Sequence, residues 1–88
     1  MENLKRLLTD FSNANGTSGS EGEVGQLLRD TLKPLVDEVT TDAMGNVIAT
    51  RHGRGPAVML AAHMDEIGVM VRYVDEHGFL RFVPIGGW

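Results

Sequence analysis

Ala57-Val58-Met59-Leu60-Ala61-Ala62 is an unbroken apolar run, and it constrains the fold more than any other segment. Crossing a bilayer takes about 20 apolar residues in a helix, so a run this short does not qualify. A short continuous apolar run bounded by turn residues reads instead as a β-strand covered on both faces. That is the pattern of a sheet with layers above and below it, as in α/β proteins. The loop His52-Gly53-Arg54-Gly55-Pro56 precedes the run, and His63-Met64-Asp65-Glu66 follows it directly.

The residues before this strand supply helices. Leu4, Leu7, Leu8 and Phe11 lie at i, i+3, i+4 and i+7, one face of a helix. Asn13 to Gly19 is polar and holds two glycines, so it reads as a loop. Ser18 with Glu21 and Ser20 with Glu23 both have capping-box spacing and place a second helix start there. Val24, Leu27, Leu28, Leu32 and Leu35 continue a helical stripe, which Pro34 should end or kink. The pattern then changes. Residues 39–42 and 47–50 read as short strands around the turn Met44-Gly45-Asn46. Residues 67–74 and 79–83 flank Asp75-Glu76-His77-Gly78 and read as a hairpin, followed by Pro84-Ile85-Gly86-Gly87-Trp88. The order of helices and then strands predicts an α/β beginning that runs into something β-rich.

Composition narrows the function. The 88 residues carry a net charge of −4. Their basic residues are scattered, whereas binding a phosphate backbone takes a basic stripe. Nucleic acid and an anionic membrane are therefore not the expected partners. A chain of this size that folds alone buries only about 60% of its unfolded surface, and without cysteine no disulfide staples it. The N-terminal residues lack the apolar core of a signal peptide. The expectation is a soluble, cytoplasmic protein.

The chemistry points to His63 and Asp65. They follow the apolar strand, and ligands in open α/β sheets bind beyond the carboxyl ends of strands. Side chains two apart in an extended chain face the same side. A neutral imidazole is a good ligand for zinc or cobalt. A carboxylate on its other ring nitrogen fixes the tautomer and raises the basicity of the ligand. The plainer alternative is a hydrogen-bonded surface pair at a strand end. Glu66 reads as solvated, Asp42 as structural, and His52 and His77 as exposed turn residues. Gly16 and Gly19 bring backbone close to a ligand or simply loosen a loop. No P-loop, Gly-x-Ser-x-Gly or zinc-finger spacing is present.

At these residues the sequence resembles a known family. Ala61-Ala62-His63-Met64-Asp65-Glu66-Ile67-Gly68 resembles the first metal-ligand motif of the M42 aminopeptidases. This group includes glutamyl, deblocking and tetrahedral aminopeptidases, some under the older name endoglucanase M. Asn15-Gly16-Thr17-Ser18-Gly19-Ser20-Glu21 resembles the family's Ser-Gly-x-Glu loop. Asp42-Ala43-Met44-Gly45-Asn46-Val47-Ile48-Ala49 resembles its Asp-x-x-Gly-Asn strand turn. The stretch from Gly78 to Trp88 resembles its Gly-Phe-Leu-x-Phe hairpin ending in Gly-Gly-Trp. The four segments fall in the family's order and spacing over nearly the whole chain.

The resemblance implies an α/β/α two-metal peptidase domain, represented by its N-terminal part over residues 1–68. Residues 69–88 would start an inserted β-rich dimerisation domain. His63 matches the family's histidine ligand of one metal, and Asp65 the carboxylate that orients it. Two divalent metals, zinc or cobalt, a peptide substrate, and homo-oligomers from dimers to dodecameric shells are implied with them. The other ligands, the bridging carboxylate and the general-base glutamate match nothing up to Trp88. These residues alone are therefore expected to be inactive. The rival expectation is a non-catalytic remnant that acts through self-association or a partner chain. A glycanase, suggested only by the older name, ranks behind both, because glycoside hydrolysis usually needs paired carboxylates.

Overall fold

The computed structural model describes all residues, 1–88. Two helices come first, α1 (Glu2–Asn13) and α2 (Gly22–Leu32). The helical stripes explain both. On α1, Leu7 and Phe11 are half-buried while Leu4 and Leu8 stay exposed. On α2, Val24 and Gly25 are buried. Pro34 acts as expected: α2 ends at Leu32, and a 3-10 turn, Lys33–Leu35, carries the proline. Leu35 therefore leaves the α2 stripe and is exposed.

Neither capping box forms. Glu21 precedes the first turn of α2, and no side chain caps that turn. The Glu21 carboxylate instead accepts the Gly19 N–H at 2.7 Å, and the Ser18 hydroxyl turns toward residue 65. Each group is used by the loop or by a distant partner, so neither is left for the helix start.

Two antiparallel ribbons follow. The first joins β1 (Glu38–Thr41) to β2 (Val47–Thr50), with Glu38 opposite Thr50 and Thr41 opposite Val47. Its turn is held by Asp42, whose carboxylate accepts from the backbone N–H groups of Met44 and Asn46 and from Asn46 Nδ2. Gly45 sits there at φ 88°, where a Cβ would be strained. Arg29 of α2 donates to Thr41 Oγ1 at 3.0 Å and ties the ribbon to the helix.

The second ribbon pairs β3 (Gly68–Val74) with β4 (Leu80–Ile85), from Gly68 opposite Ile85 to Val74 opposite Leu80. Arg72 is an extra residue between the pairs Val71–Phe82 and Tyr73–Arg81, a β-bulge that locally sharpens the twist. Asp75 Oδ1 accepts from His77 N and Phe79 N and closes the hairpin.

The asparagine contacts also set the Asp42 carboxyl below the usual aspartate range. The Asn46 side-chain hydrogen bond contributes most, followed by the Asn46 backbone N–H. A lowered folded-state pKa contributes stability that is complete above the unfolded value of about 3.9. That contribution is lost as pH falls through the folded value. A carbon-13 titration of the Asp42 carboxyl should show a midpoint below 3.9, and Asn46→Ala should move it upward. A midpoint unchanged by that substitution would show that Asn46 does not hold the turn.

The central apolar run departs from its expectation. Residues 57–62 adopt no strand: β1 pairs only with β2 and β3 only with β4, so no ladder includes them. Val58, Met59 and Leu60 are 87%, 86% and 94% exposed. The covered sheet expected from their sequence is not assembled among these residues. Four residues are buried, Ala14, Gly16, Val24 and Gly25. They mark one small core where the end of α1, the loop after it and the start of α2 meet.

Candidate functional site

That small core positions the His-x-Asp segment. Gly25 on α2 faces the Met64 side chain, and a Cβ built at Gly25 would meet Met64 Cε at 3.8 Å. A Cβ built at Gly16 would stand 3.3 Å from the Met64 carbonyl oxygen. Met64 therefore points into the junction. Its neighbours His63 and Asp65 meet each other instead, as alternation along an extended chain requires. The backbone is fixed from the other side by a parallel bridge between Thr17 and Glu66. Glu66 N donates to Gly16 O at 2.8 Å and Ser18 N donates to Glu66 O at 3.2 Å.

Asp65 is the hub. Its Oδ1 lies 3.1 Å from His63 Nδ1, and its Oδ2 accepts the Ser18 hydroxyl at 2.5 Å. His63 Nδ1 is also 3.0 Å from the Asp65 carbonyl oxygen. Both Nδ1 neighbours are acceptors, so Nδ1 is the donor, and in the neutral ring Nε2 keeps its lone pair. The Ser18 hydrogen bond is the main reason the Asp65 carboxyl lies below the ordinary aspartate range. Partial desolvation opposes it, and the His63 hydrogen bond adds to it. The result is an ionised carboxylate tethering an imidazole whose side chain is 86% exposed. Nε2 is presented outward, free to bind.

The pair borders a cleft of about 170 Å³ that also takes in Glu21 and Asn46. A larger concavity, about 610 Å³, lies between α1 and α2 among Asp10, Glu23 and Asp30, away from the imidazole. The remaining candidates have other occupations. The Asp42 carboxylate is spent on its turn. His52 is engaged through its backbone N–H, which donates to Asp37. His77 sits in the hairpin turn with Nε2 3.5 Å from Glu76 Oε1. Glu66 acts through its backbone. Ser18 is the site residue that sequence reasoning missed. Its spacing to Glu21 pointed to a helix cap, and a contact across 47 residues leaves no local signature. No helix is long and apolar enough to cross a membrane.

A putative aminopeptidase of Acetivibrio thermocellus is 48% identical over 86 residues, covering 98% of this chain and 26% of that protein. The lysyl aminopeptidase of Pyrococcus furiosus is 49% identical over 82 residues, covering 92% of this chain and 24% of its own length. The crystal structure of a TET aminopeptidase from Thaumarchaeota archaeon SCGC AB-539-E09 superposes with a TM-score of 0.87 at 31% identity. It covers all of this chain and 25% of that one. The chain thus spans about a quarter of the length of the relatives it matches. These likenesses identify the fold as part of an α/β peptidase domain. More narrowly, the chain belongs to the M42 glutamyl aminopeptidase family, whose profile matches residues 45–88.

Proposed function

We propose that these residues form the N-terminal part of a metal-dependent aminopeptidase and contribute His63 as a ligand to its metal centre. The observation that carries this reading is the tethered imidazole. Asp65 holds Nδ1, the ring cannot turn away without breaking that bond, and Nε2 is left for a metal. The donor chemistry fits zinc or cobalt. No group of three or more His, Cys, Asp or Glu side chains in these 88 residues is placed to hold a metal ion. A catalytic zinc takes about three protein ligands, so the rest are assigned to other parts of the whole protein. Bound there, two divalent ions would polarise the scissile carbonyl and lower the pKa of a water. His63 supplies the lone pair, Asp65 keeps it aimed, and the cleft beside them admits the chain end of a peptide.

In this reading residues 1–68 belong to the catalytic domain. Residues 69–88, essentially the β3–β4 ribbon, open an inserted β-rich domain through which the protein forms homo-oligomers. A cytoplasmic location belongs to the same proposal.

The test uses the complete protein, stripped of metal and supplied with peptides. Addition of zinc or cobalt should restore stepwise release of the N-terminal residue. Cleavage of a β-glucan with no release of amino acids would overturn the reading in favour of a glycanase.

A further inference from the structure

We propose that Ser18 is a positioning residue for the metal-binding imidazole, acting through Asp65; this rests on the reading of His63 as a metal ligand. Asp65 is only partly covered, its side chain 39% exposed. A carboxylate in that setting can rotate and share its oxygens with water. Tethering one oxygen removes that freedom. The Ser18 hydroxyl holds Oδ2, and Oδ1 is thereby aimed at His63 Nδ1. An ionised carboxylate only accepts, so the serine donates, and the bond is charge-assisted.

Ser18 is itself held by backbone. Ser18 N donates to Glu66 O, Glu66 N to Gly16 O, and Ser20 N to Thr17 O at 2.7 Å. Close packing leaves the loop no slack. A Cβ at Gly16 would stand 3.0 Å from Val24 Cγ1, and one at Gly68 2.7 Å from the Thr17 side chain. None of these contacts uses the Ser18 hydroxyl. Removing it leaves the loop docked and acts on Asp65 alone. The loop, Asp65 and His63 thus form one relay running from backbone to imidazole across 47 residues of sequence.

The experiment measures zinc affinity of the complete protein by competition with a chromophoric chelator. Thermal unfolding of the metal-free protein is followed in parallel. Ser18→Ala should weaken zinc binding about tenfold, the lower end of the cost of losing an outer hydrogen-bond partner. Ser18→Thr, which keeps the hydroxyl, should restore most of it. In an Asp65→Ala background, Ser18→Ala should cost nothing further, because the relay is already broken. The metal-free unfolding midpoint should fall slightly, because the bond that lowers the Asp65 carboxyl also stabilises the fold, but too little to account for the loss of zinc affinity. Wild-type zinc affinity in Ser18→Ala would overturn the proposal. So would an undiminished loss in the Asp65→Ala background, or a loss that the fall in the metal-free midpoint accounts for. Wild-type affinity in His63→Ala would instead overturn the ligand reading itself, so the two failures are told apart.

Discussion

The 88 residues alone are expected to run as concentration-dependent oligomers or an expanded species, and not as a compact monomer with a cooperative melt. A compact domain of this length has a radius of gyration of about 12 Å; this chain has 17.1 Å and extends 62 Å along its longest axis. A folded monomer of its mass exposes about 5,100 Å², against 7686 Å² here. The excess is apolar in large part. Val58, Met59 and Leu60 form an open run, and Val69, Met70, Val71, Tyr73 and Phe82 are about half exposed on the second ribbon. Both sheets are two-stranded, and an isolated two-stranded ribbon is marginal in water. Unpaired edges with apolar side chains are templates for pairing with another chain.

Two outcomes fit this physics, self-association or assembly with the rest of the whole protein. Size-exclusion chromatography with light scattering over a dilution series separates them from a stable monomer. Adding the remaining part of the whole protein should convert the oligomers into a defined complex. A sharp monomer peak that persists on dilution, with cooperative unfolding at micromolar concentration, would show that the four-residue core suffices.

What the sequence disclosed followed the range of the interaction. Both helices, the Pro34 break and the 47–50 strand come from local periodicity and backbone chemistry, and they stand where periodicity put them. The strand read at 39–42 lies one residue earlier, and the hairpin strands shift by one or two residues, within the usual fraying of element ends. The run at 57–62 carries a strand's sequence without a strand's ladder, because pairing depends on partners that local pattern cannot supply. The same limit hid Ser18. His63 and Asp65 were legible because their relation is two residues long. The serine that completes their hydrogen bonding lies on a loop read only as a helix start.

His63→Ala in the complete protein is expected to cause the largest loss of activity of any single change in this segment. The nearby carboxylates have other occupations: Asp65 faces the other ring nitrogen, Asp42 is spent on its turn, and Glu21 accepts the Gly19 N–H. Losing one ligand of a catalytic ion removes several kcal/mol of transition-state stabilisation, which corresponds to about a thousandfold in kcat/KM. Asp65→Ala leaves the proposed ligand in place but untethered, and should cost about 10- to 100-fold. The order His63, then Asp65, then Ser18 follows the distance of each group from the metal. Metal-free unfolding of each variant separates this order from misfolding. Within these 88 residues the His63 side chain is 86% exposed and packs in no core. The check is metal content per protomer together with kcat/KM on a short peptide, with unfolding of each metal-free variant measured alongside. His63→Ala should lose close to one equivalent of metal while its metal-free unfolding matches wild type. Retention of both metals, with kcat/KM within tenfold of wild type, would remove His63 from the centre and return the His63–Asp65 pair to a surface hydrogen bond.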